Sequence, residues 1–304
     1  MSTVTVRVPA KVNLCLGVGR VRPDGYHPLA TVYQAVDLHD ELRLTIRDDD
    51  RLEVVVHTEL DLPEGTAVPS GDDNIAVRAA RLLREHLGRP ELGADIAIRK
   101  VIPVAGGMAG GSADAAATLV GLNELWGGGM TRHDLEPLAA ELGSDVPFLL
   151  HGGNAIGGGR GETISPILSR GSYDWVFATS PEGLSTAAVY AEFDRLNPHG
   201  VAEPEVPDAL LNALRVGDPR LLGPTLSNDL TEATLSLRPE LADTLAVGLD
   251  AGALGAVISG SGPTTVFLAA SEQHGLDLAM ALASTGTAAD VIQSRGPVAG
   301  ARLI

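Results

Sequence analysis

Twelve consecutive residues carry the first chemical signal: Pro103, Val104, Ala105, Gly106, Gly107, Met108, Ala109, Gly110, Gly111, Ser112, Ala113 and Asp114. Four glycines and three alanines leave little side chain over the backbone. An apolar run at 94–98 leads in, and a helix-like segment at 115–125 leads out. Bare N–H groups at a helix N-terminus attract anions, because the unpaired donors and the macrodipole both favour negative charge there. Ser112 is placed to cap that helix and to offer a hydroxyl to the same anion. The segment is therefore a candidate phosphate loop. The same small residues would equally serve a turn that packs a helix closely on a sheet.

A second signal is the use of lysine. Lys11 and Lys100 are the only two lysines, against twenty arginines. A chain this rich in arginine keeps lysine where a compact ammonium is needed instead of a planar fork. Both lysines lie beside runs of small residues. Asp145 follows Gly143 and Ser144 and precedes Pro147, a pattern that opens a helix.

Positioning such groups takes a substantial fold. At 304 residues with 44% hydrophobic and 20% charged residues, the chain is globular and long enough for one large or two medium domains. A net charge of −17 argues against nucleic acid or anionic lipid as a partner, so any phosphate is bound locally, against the overall field. No stretch of about 20 apolar residues occurs, and the first residues lack a basic-then-apolar leader, so a cytoplasmic protein without a membrane partner is expected. Cys15 is alone, which excludes a disulfide framework and a cysteine zinc site. Nothing in the sequence indicates an oligomeric state.

Along the chain, residues 3–8 alternate as a strand, and 9–16 end in a second extended run. Residues 22–28 form a turn around Asp24-Gly25. Strands are expected at 31–36 and 40–46, with 51–56 pairing back across the acidic turn 48–50. Residues 75–87 have helical periodicity, and Thr131 to Asp134 is a capping-box pattern opening a helix that Gly143 ends. The second half reads as a strand at 173–178, helices at 186–196, 209–215, 219–225 and 239–251, a strand–glycine turn–strand at 255–268, a helix at 274–284 and a strand at 288–294. The whole is α+β, with a domain boundary expected between 1–155 and 156–304 and the active site between the two.

Two familiar phosphate patterns fail. No Gly-Lys-Ser/Thr follows the loop, so it is not a Walker P-loop. Gly107-Met-Ala-Gly-Gly is not Gly-x-Gly-x-x-Gly, which argues against a dinucleotide-dependent oxidoreductase. Three small-residue elements do stand out together: 9–16, 103–114 and 259–265. They resemble the three signature motifs of the GHMP kinases. The turn Asp24-Gly-Tyr-His27 and the run Gly143-Ser-Asp-Val-Pro147 extend the resemblance, which runs in order from Val4 to about Phe267. The chain departs from the family pattern at Ala105 and Ala109, where glycines are usual, and at Ala113, where a second serine is common. Alanine tolerates a positive φ poorly.

The resemblance implies a two-domain kinase that moves the γ-phosphoryl of ATP, with Mg²⁺ on the phosphates, to an alcohol of a small molecule. It implies that residues 103–113 hold the nucleotide, with Asn74 and Lys100 on the adenine side. Asn74 could equally cap its helix. Asp145 becomes the candidate base and Lys11 the group that holds it in line and offsets developing charge. Tyr26, His27, Thr186 and Tyr190 would lie around a cytidine diphosphate-linked sugar alcohol, and Asn13 near its phosphorylated end. A stacking tyrosine and a hydrogen-bonding histidine suit a pyrimidine. Another small-molecule kinase of the family, or a catalytically silent ligand-binding member, are the alternatives.

Overall fold

Lys11 lies on a strand of 16 residues that pairs with one of 19. The structure, a computed structural model, describes residues 2–58, 68–104, 106–201 and 203–304. In chain order it runs β1 (Thr3–Val18), β2 (Leu29–Arg47), β3 (Leu52–Thr58), α1 (Ile75–His86), β4 (Gly93–Lys100), α2 (Gly110–Leu125), α3 (Arg132–Leu142), α4 (Val146–His151), β5 (Asn154–Gly158) and β6 (Thr163–Pro166). There follow β7 (Tyr173–Thr179), α5 (Thr186–Leu196), α6 (Asp208–Val216), α7 (Pro219–Leu222), β8 (Ser227–Asn228), α8 (Thr231–Leu237), α9 (Leu241–Asp250), β9 (Gly255–Ile258), β10 (Thr265–Ala269), α10 (Glu272–Thr285), β11 (Asp290–Gly296) and β12 (Arg302–Leu303).

Among the described residues there are two sheets. The first has the path β12-β1-β2-β4-β3, with β5 added to β2, β6 to β5 and β8 to β1; the second is β11-β7-β10-β9. The fold is the expected α+β mixture, but three details differ from the sequence expectation. The extended runs at 3–8 and 9–16 are one strand, as are 31–36 and 40–46. The β1–β2 ladder passes through register shifts at Pro9/Ala10 and Asn13/Cys15. Bulges let a strand continue past a proline and re-aim side chains. The acidic turn does not close a hairpin either: β4 lies between β2 and β3, antiparallel to the first and parallel to the second. Ile96 and Ile98 of β4 are fully covered, whereas Glu53 and Val55 of β3 face water, so the more apolar strand takes the inner position. A parallel pair needs a crossover, and α1 supplies it. Finally, the boundary expected between residues 155 and 156 falls inside β5, which pairs with β2, and β12 returns to pair with β1.

Helix α2 packs over the first sheet, with Ala113, Ala115, Ala116, Ala117, Leu119 and Leu122 fully buried. Small residues permit the close approach. A Cβ on Gly121 would collide with Leu44 and stand 2.7 Å from Val6 Cγ2. The packing role of the glycine–alanine segment is thus real, and it fixes the axis of the helix whose N-terminus faces the cleft. No helix among the described residues is long and apolar enough to cross a membrane.

Candidate functional site

The three small-residue elements, far apart in sequence, meet in one place. The Lys11 N–H donates to the Met108 carbonyl at 3.3 Å, joining β1 to the loop before α2. The Ser259 hydroxyl donates to the Gly107 carbonyl at 3.0 Å, joining the β9–β10 turn to the same loop. Gly107 has φ +73°, and a Cβ there would fall on the Ser259 carbonyl. Asn228 holds the turn from below, its Nδ2 donating to the Ile258 and Gly260 carbonyls at 2.8 and 2.7 Å.

Helix α2 starts inside the loop, at Gly110, earlier than the sequence suggested. Its N-cap is Ala109, with φ 61° and no side-chain cap hydrogen bond. Ser112, expected to be the cap, is instead the third helical residue, because the sharp left-handed turn is made at Ala109. Ala109 is the sole non-glycine residue with positive φ among the described residues. The consequence is chemical: the first-turn N–H groups lack a side-chain cap and remain available to an anion.

A cleft of about 490 Å³ opens over this helix end. Its walls include Lys11, Asn13, Asn74, Lys100, Pro103, Val104, Gly106, Gly107, Ala109, Gly110, Gly111, Ser112, Asp145, Thr186 and Tyr190 from the sequence-derived set. Met108 and Ala113 are fully buried in the core, so their side chains do not face a ligand. Ala105 lies outside the described residues. Tyr26 and His27 do not line the cleft; both lie in the β1–β2 turn, with His27 packed against Tyr190 of the wall.

Lys11 is 4% exposed. Its Nζ donates to Asn13 Oδ1 at 2.6 Å and lies 3.8 Å from Asp145 Oδ2. Asn13 Nδ2 donates to the Thr31 hydroxyl at 2.8 Å, and that hydroxyl donates to the Cys15 carbonyl at 2.7 Å. This chain fixes the direction of the ammonium. Burial lowers the Lys11 pKa below its usual value, with the charge of Asp145 opposing that shift. Asp145 stands at the N-cap position of α4 but makes no side-chain cap hydrogen bond, so its carboxylate is left for the cleft.

Asn74 does cap α1, accepting from the Ala76 N–H at 2.8 Å while its Nδ2 donates to the Pro69 carbonyl at 2.7 Å. Lys100 is also committed: its ammonium contacts Asp40 and Asp114 at 2.6 and 2.7 Å and is turned into the protein. What Lys100 presents to the adenine side is therefore not its charge. The Thr186 and Ser261 hydroxyls are 2.9 Å apart, which ties α5 to the glycine turn. The His27 ring lies 4.9 Å from that of Tyr190, and its Nε2 is 2.9 Å from Asp194 Oδ1. Burial, with a smaller contribution from Asp145, pushes the Tyr190 phenol up to about 12.

Two neighbours escaped the sequence reading. Tyr33 lines the cleft, stacked on Phe148 with ring centroids 4.9 Å apart and with Lys11 Nζ 5.8 Å from its ring centre. Burial raises its phenol well above the usual value, and Asp145 adds to that. Arg160 places its guanidinium 4.7 Å from the centre of the Tyr26 ring. Aromatic residues are only 3% of the chain, a signal that could have pointed to Tyr33; Arg160 is one of two charged residues among the glycines of 157–162.

The profile of the GHMP kinases N-terminal domain matches residues 74–153, and that of the GHMP kinases C-terminal domain matches 210–288. The chain is 53% identical to 4-diphosphocytidyl-2-C-methyl-D-erythritol kinase of Thermobifida fusca, over 100% of this chain and 99% of that one. The enzyme of the same name from Nocardia farcinica is 54% identical, over 100% and 97% of the two chains. A crystal structure of 4-(cytidine 5'-diphospho)-2C-methyl-D-erythritol kinase is similar with a TM-score of 0.75 at 32% identity, covering 96% of this chain and 98% of that one. Homoserine kinase from Cytophaga hutchinsonii shares the fold, with a TM-score of 0.71 at 21% identity, covering 100% of this chain and 98% of that one.

Proposed function

The chain belongs to the GHMP kinase family, and from that premise we propose that it transfers the γ-phosphoryl group of ATP to the 2-hydroxyl of 4-diphosphocytidyl-2-C-methyl-D-erythritol, a step in isoprenoid precursor synthesis. The observation that carries the site reading is the Lys11–Asp145 pair, 3.8 Å apart, facing an uncapped helix N-terminus across a single cleft.

Phosphoryl transfer asks a protein mainly for positioning and charge neutralisation. The N–H groups of Gly110, Gly111 and Ser112 at the start of α2 hold the phosphates, and the Ser112 hydroxyl adds a donor. Gly106 and Gly107 let the loop backbone lie close to the nucleotide. Mg²⁺ enters with the nucleotide as Mg·ATP. Bound there, Mg²⁺ would supply neutralisation of phosphate charge.

Asp145 accepts the proton of the attacking hydroxyl as its oxygen bonds to the γ-phosphorus and the bond to the β-phosphate oxygen breaks, releasing ADP. Lys11, aimed by Asn13, keeps Asp145 and the hydroxyl in line and offsets charge on the transferring group. A loose transition state needs little proton removal early, so a weakly basic carboxylate suffices. Tyr26, His27, Thr186 and Tyr190 form the cytidine side, and Arg160 beside Tyr26 supplies a cation for a substrate that carries a diphosphate.

The test separates binding from turnover. Asp145→Asn leaves Mg·ATP binding intact and removes most phosphoryl transfer; wild-type turnover in this variant would sink the assignment of the base.

A further inference from the structure

A buried ionic cluster lies beneath the first turns of α2, and the mechanism above does not use it. Lys100 at the end of β4 contacts Asp40 Oδ2 on β2 at 2.6 Å and Asp114 Oδ2 on α2 at 2.7 Å. The three residues are 3%, 0% and 2% exposed. It is close under the phosphate loop: a Cβ added to Gly110, the first residue of α2, would stand 2.9 Å from Lys100 Nζ.

The two carboxylates are not equivalent. Asp40 Oδ1 accepts the N–H groups of Val101 and Ile102 at 2.6 and 2.9 Å, so Asp40 also ties down the backbone that enters the loop. Asp114 Oδ1 is buried with no hydrogen-bond partner. One ammonium therefore serves two carboxylates, and the excess negative charge falls on the oxygen with nothing to hold it. An uncompensated buried anion is expensive, and protonation is its usual relief.

We propose that Asp40, Lys100 and Asp114 are positioning residues for the nucleotide phosphates, and that Asp114 takes up a proton when those phosphates bind at the N-terminus of α2. This rests on the ATP-dependent kinase reading. Asp40 and Lys100 join the loop entry to the helix, so the N–H donors on one side of the loop keep their register with those on the other. Asp114 sets the charge beneath them. Ionised, it opposes an arriving polyanion; protonated at Oδ1, with the proton drawn from solvent, it leaves Lys100 and Asp40 as a neutral pair.

The surroundings agree. Burial pushes Asp114 up to about 7; Lys100 opposes this only in part, and Asp40 adds to it. Lys100 is itself raised: burial works against its charge, but Asp114 and Asp40 together outweigh it. Among the other elements packed on α2, α1 carries the buried Ala76, Ala79, Ala80 and Leu83, α3 Leu135, Leu138 and Ala139, and α4 Val146, Phe148, Leu149 and Leu150, while β12 carries the charged Arg302. On the cleft side the other charged groups are Lys11 of β1, Asp145 at the start of α4 and Asp73 just ahead of α1. The sign follows from linkage. Phosphate binding favours the protonated triad, so Mg·ATP affinity falls as pH rises through neutrality, by at most tenfold per pH unit for one proton.

The experiment is calorimetry of the full chain with Mg·ATP at pH 7.5 in buffers of different ionisation enthalpy. Wild type should take up a substantial fraction of a proton per ATP bound, and its dissociation constant should rise about three- to tenfold between pH 6.5 and 8.5. In Asp114→Asn the uptake should vanish and the affinity become flat with pH. The wild-type measurement alone decides the matter if that variant does not fold. ATP binding without proton uptake in wild type, or uptake retained in Asp114→Asn, overturns the proposal while leaving the kinase reading intact. Failure of wild type to bind Mg·ATP at all overturns both.

Discussion

Replacing Lys11 with methionine should separate catalysis from stability. The ammonium lies 3.8 Å from Asp145 and is almost wholly removed from water. At an effective dielectric of about 20, that separation corresponds to an interaction of about 4 kcal/mol, which bounds what the charge can contribute to aligning the base and neutralising the transferring group. Loss of one preorganised donor of this kind costs about 10²–10³ in kcat. The Michaelis constant for ATP should stay within about threefold, because the phosphates are held by backbone N–H groups of α2. Stability is a balance of opposing effects. Methionine leaves Asn13 Oδ1 without its donor, a cost of about 1–3 kcal/mol. It also relieves the desolvation that lowers the Lys11 pKa. The two nearly offset, so the melting temperature should shift by only a few degrees. The pH dependence carries a sign. With its folded pKa lowered, Lys11 loses its proton in the native state before it does in the unfolded chain. Wild-type stability therefore gains a rising contribution from this group between the lowered value and 10.5, and Lys11→Met loses that slope. The assays are ADP release at saturating Mg·ATP and 4-diphosphocytidyl-2-C-methyl-D-erythritol, with thermal melts at pH 7 and 9. A kcat within tenfold of wild type would refute the role given to Lys11.

Other expectations concern the loop, the cytidine side and the lone cysteine. Ala109→Gly removes a left-handed alanine that costs about 1–2 kcal/mol, partly offset by the greater freedom of glycine in the unfolded chain, so a rise of about 0.5–1 kcal/mol in unfolding free energy is expected; denaturant titration showing destabilisation would contradict this. Gly107→Ala drives a Cβ onto the Ser259 carbonyl and should raise the Michaelis constant for ATP at least tenfold, as steady-state kinetics would show. Tyr190→Ala removes the ring packed on His27 and should weaken the cytidyl substrate by about tenfold while sparing ATP; equal weakening of both substrates would argue against its placement. Cys15 is buried and its thiol is pushed up to about 12, so it should resist a thiol reagent at pH 8 until the chain is unfolded.

How much of this was legible in the sequence depended on the distance over which each residue finds its partners. The phosphate loop was visible because its chemistry requires bare backbone, and the capping box at Thr131 and Asp134 because its partners are three residues apart; both its hydrogen bonds form. The partners of Lys100 lie 60 and 14 residues away, so a lysine assigned to the adenine side could not be seen to spend its charge on Asp40 and Asp114. Pairing of β3 with β4 and not β2 is likewise a long-range choice, decided by which strand most needs burial. The continuity of β1 through Pro9 was hidden because a bulge has no reliable local signature. Ala109 was legible as a difficulty, a residue poorly suited to positive φ where the loop requires it, and the structure places the left-handed turn at that residue.

The central claim is that one cleft delivers the γ-phosphoryl of ATP to a cytidyl-linked sugar alcohol. It is tested most directly by a phosphoryl-transfer assay of the purified protein with Mg·ATP against 4-diphosphocytidyl-2-C-methyl-D-erythritol, homoserine and mevalonate, with product detected by phosphorus NMR. Transfer to the first alone, giving a phosphomonoester at its 2-position, is the predicted result. Equal transfer to all three, or to none, would contradict the account.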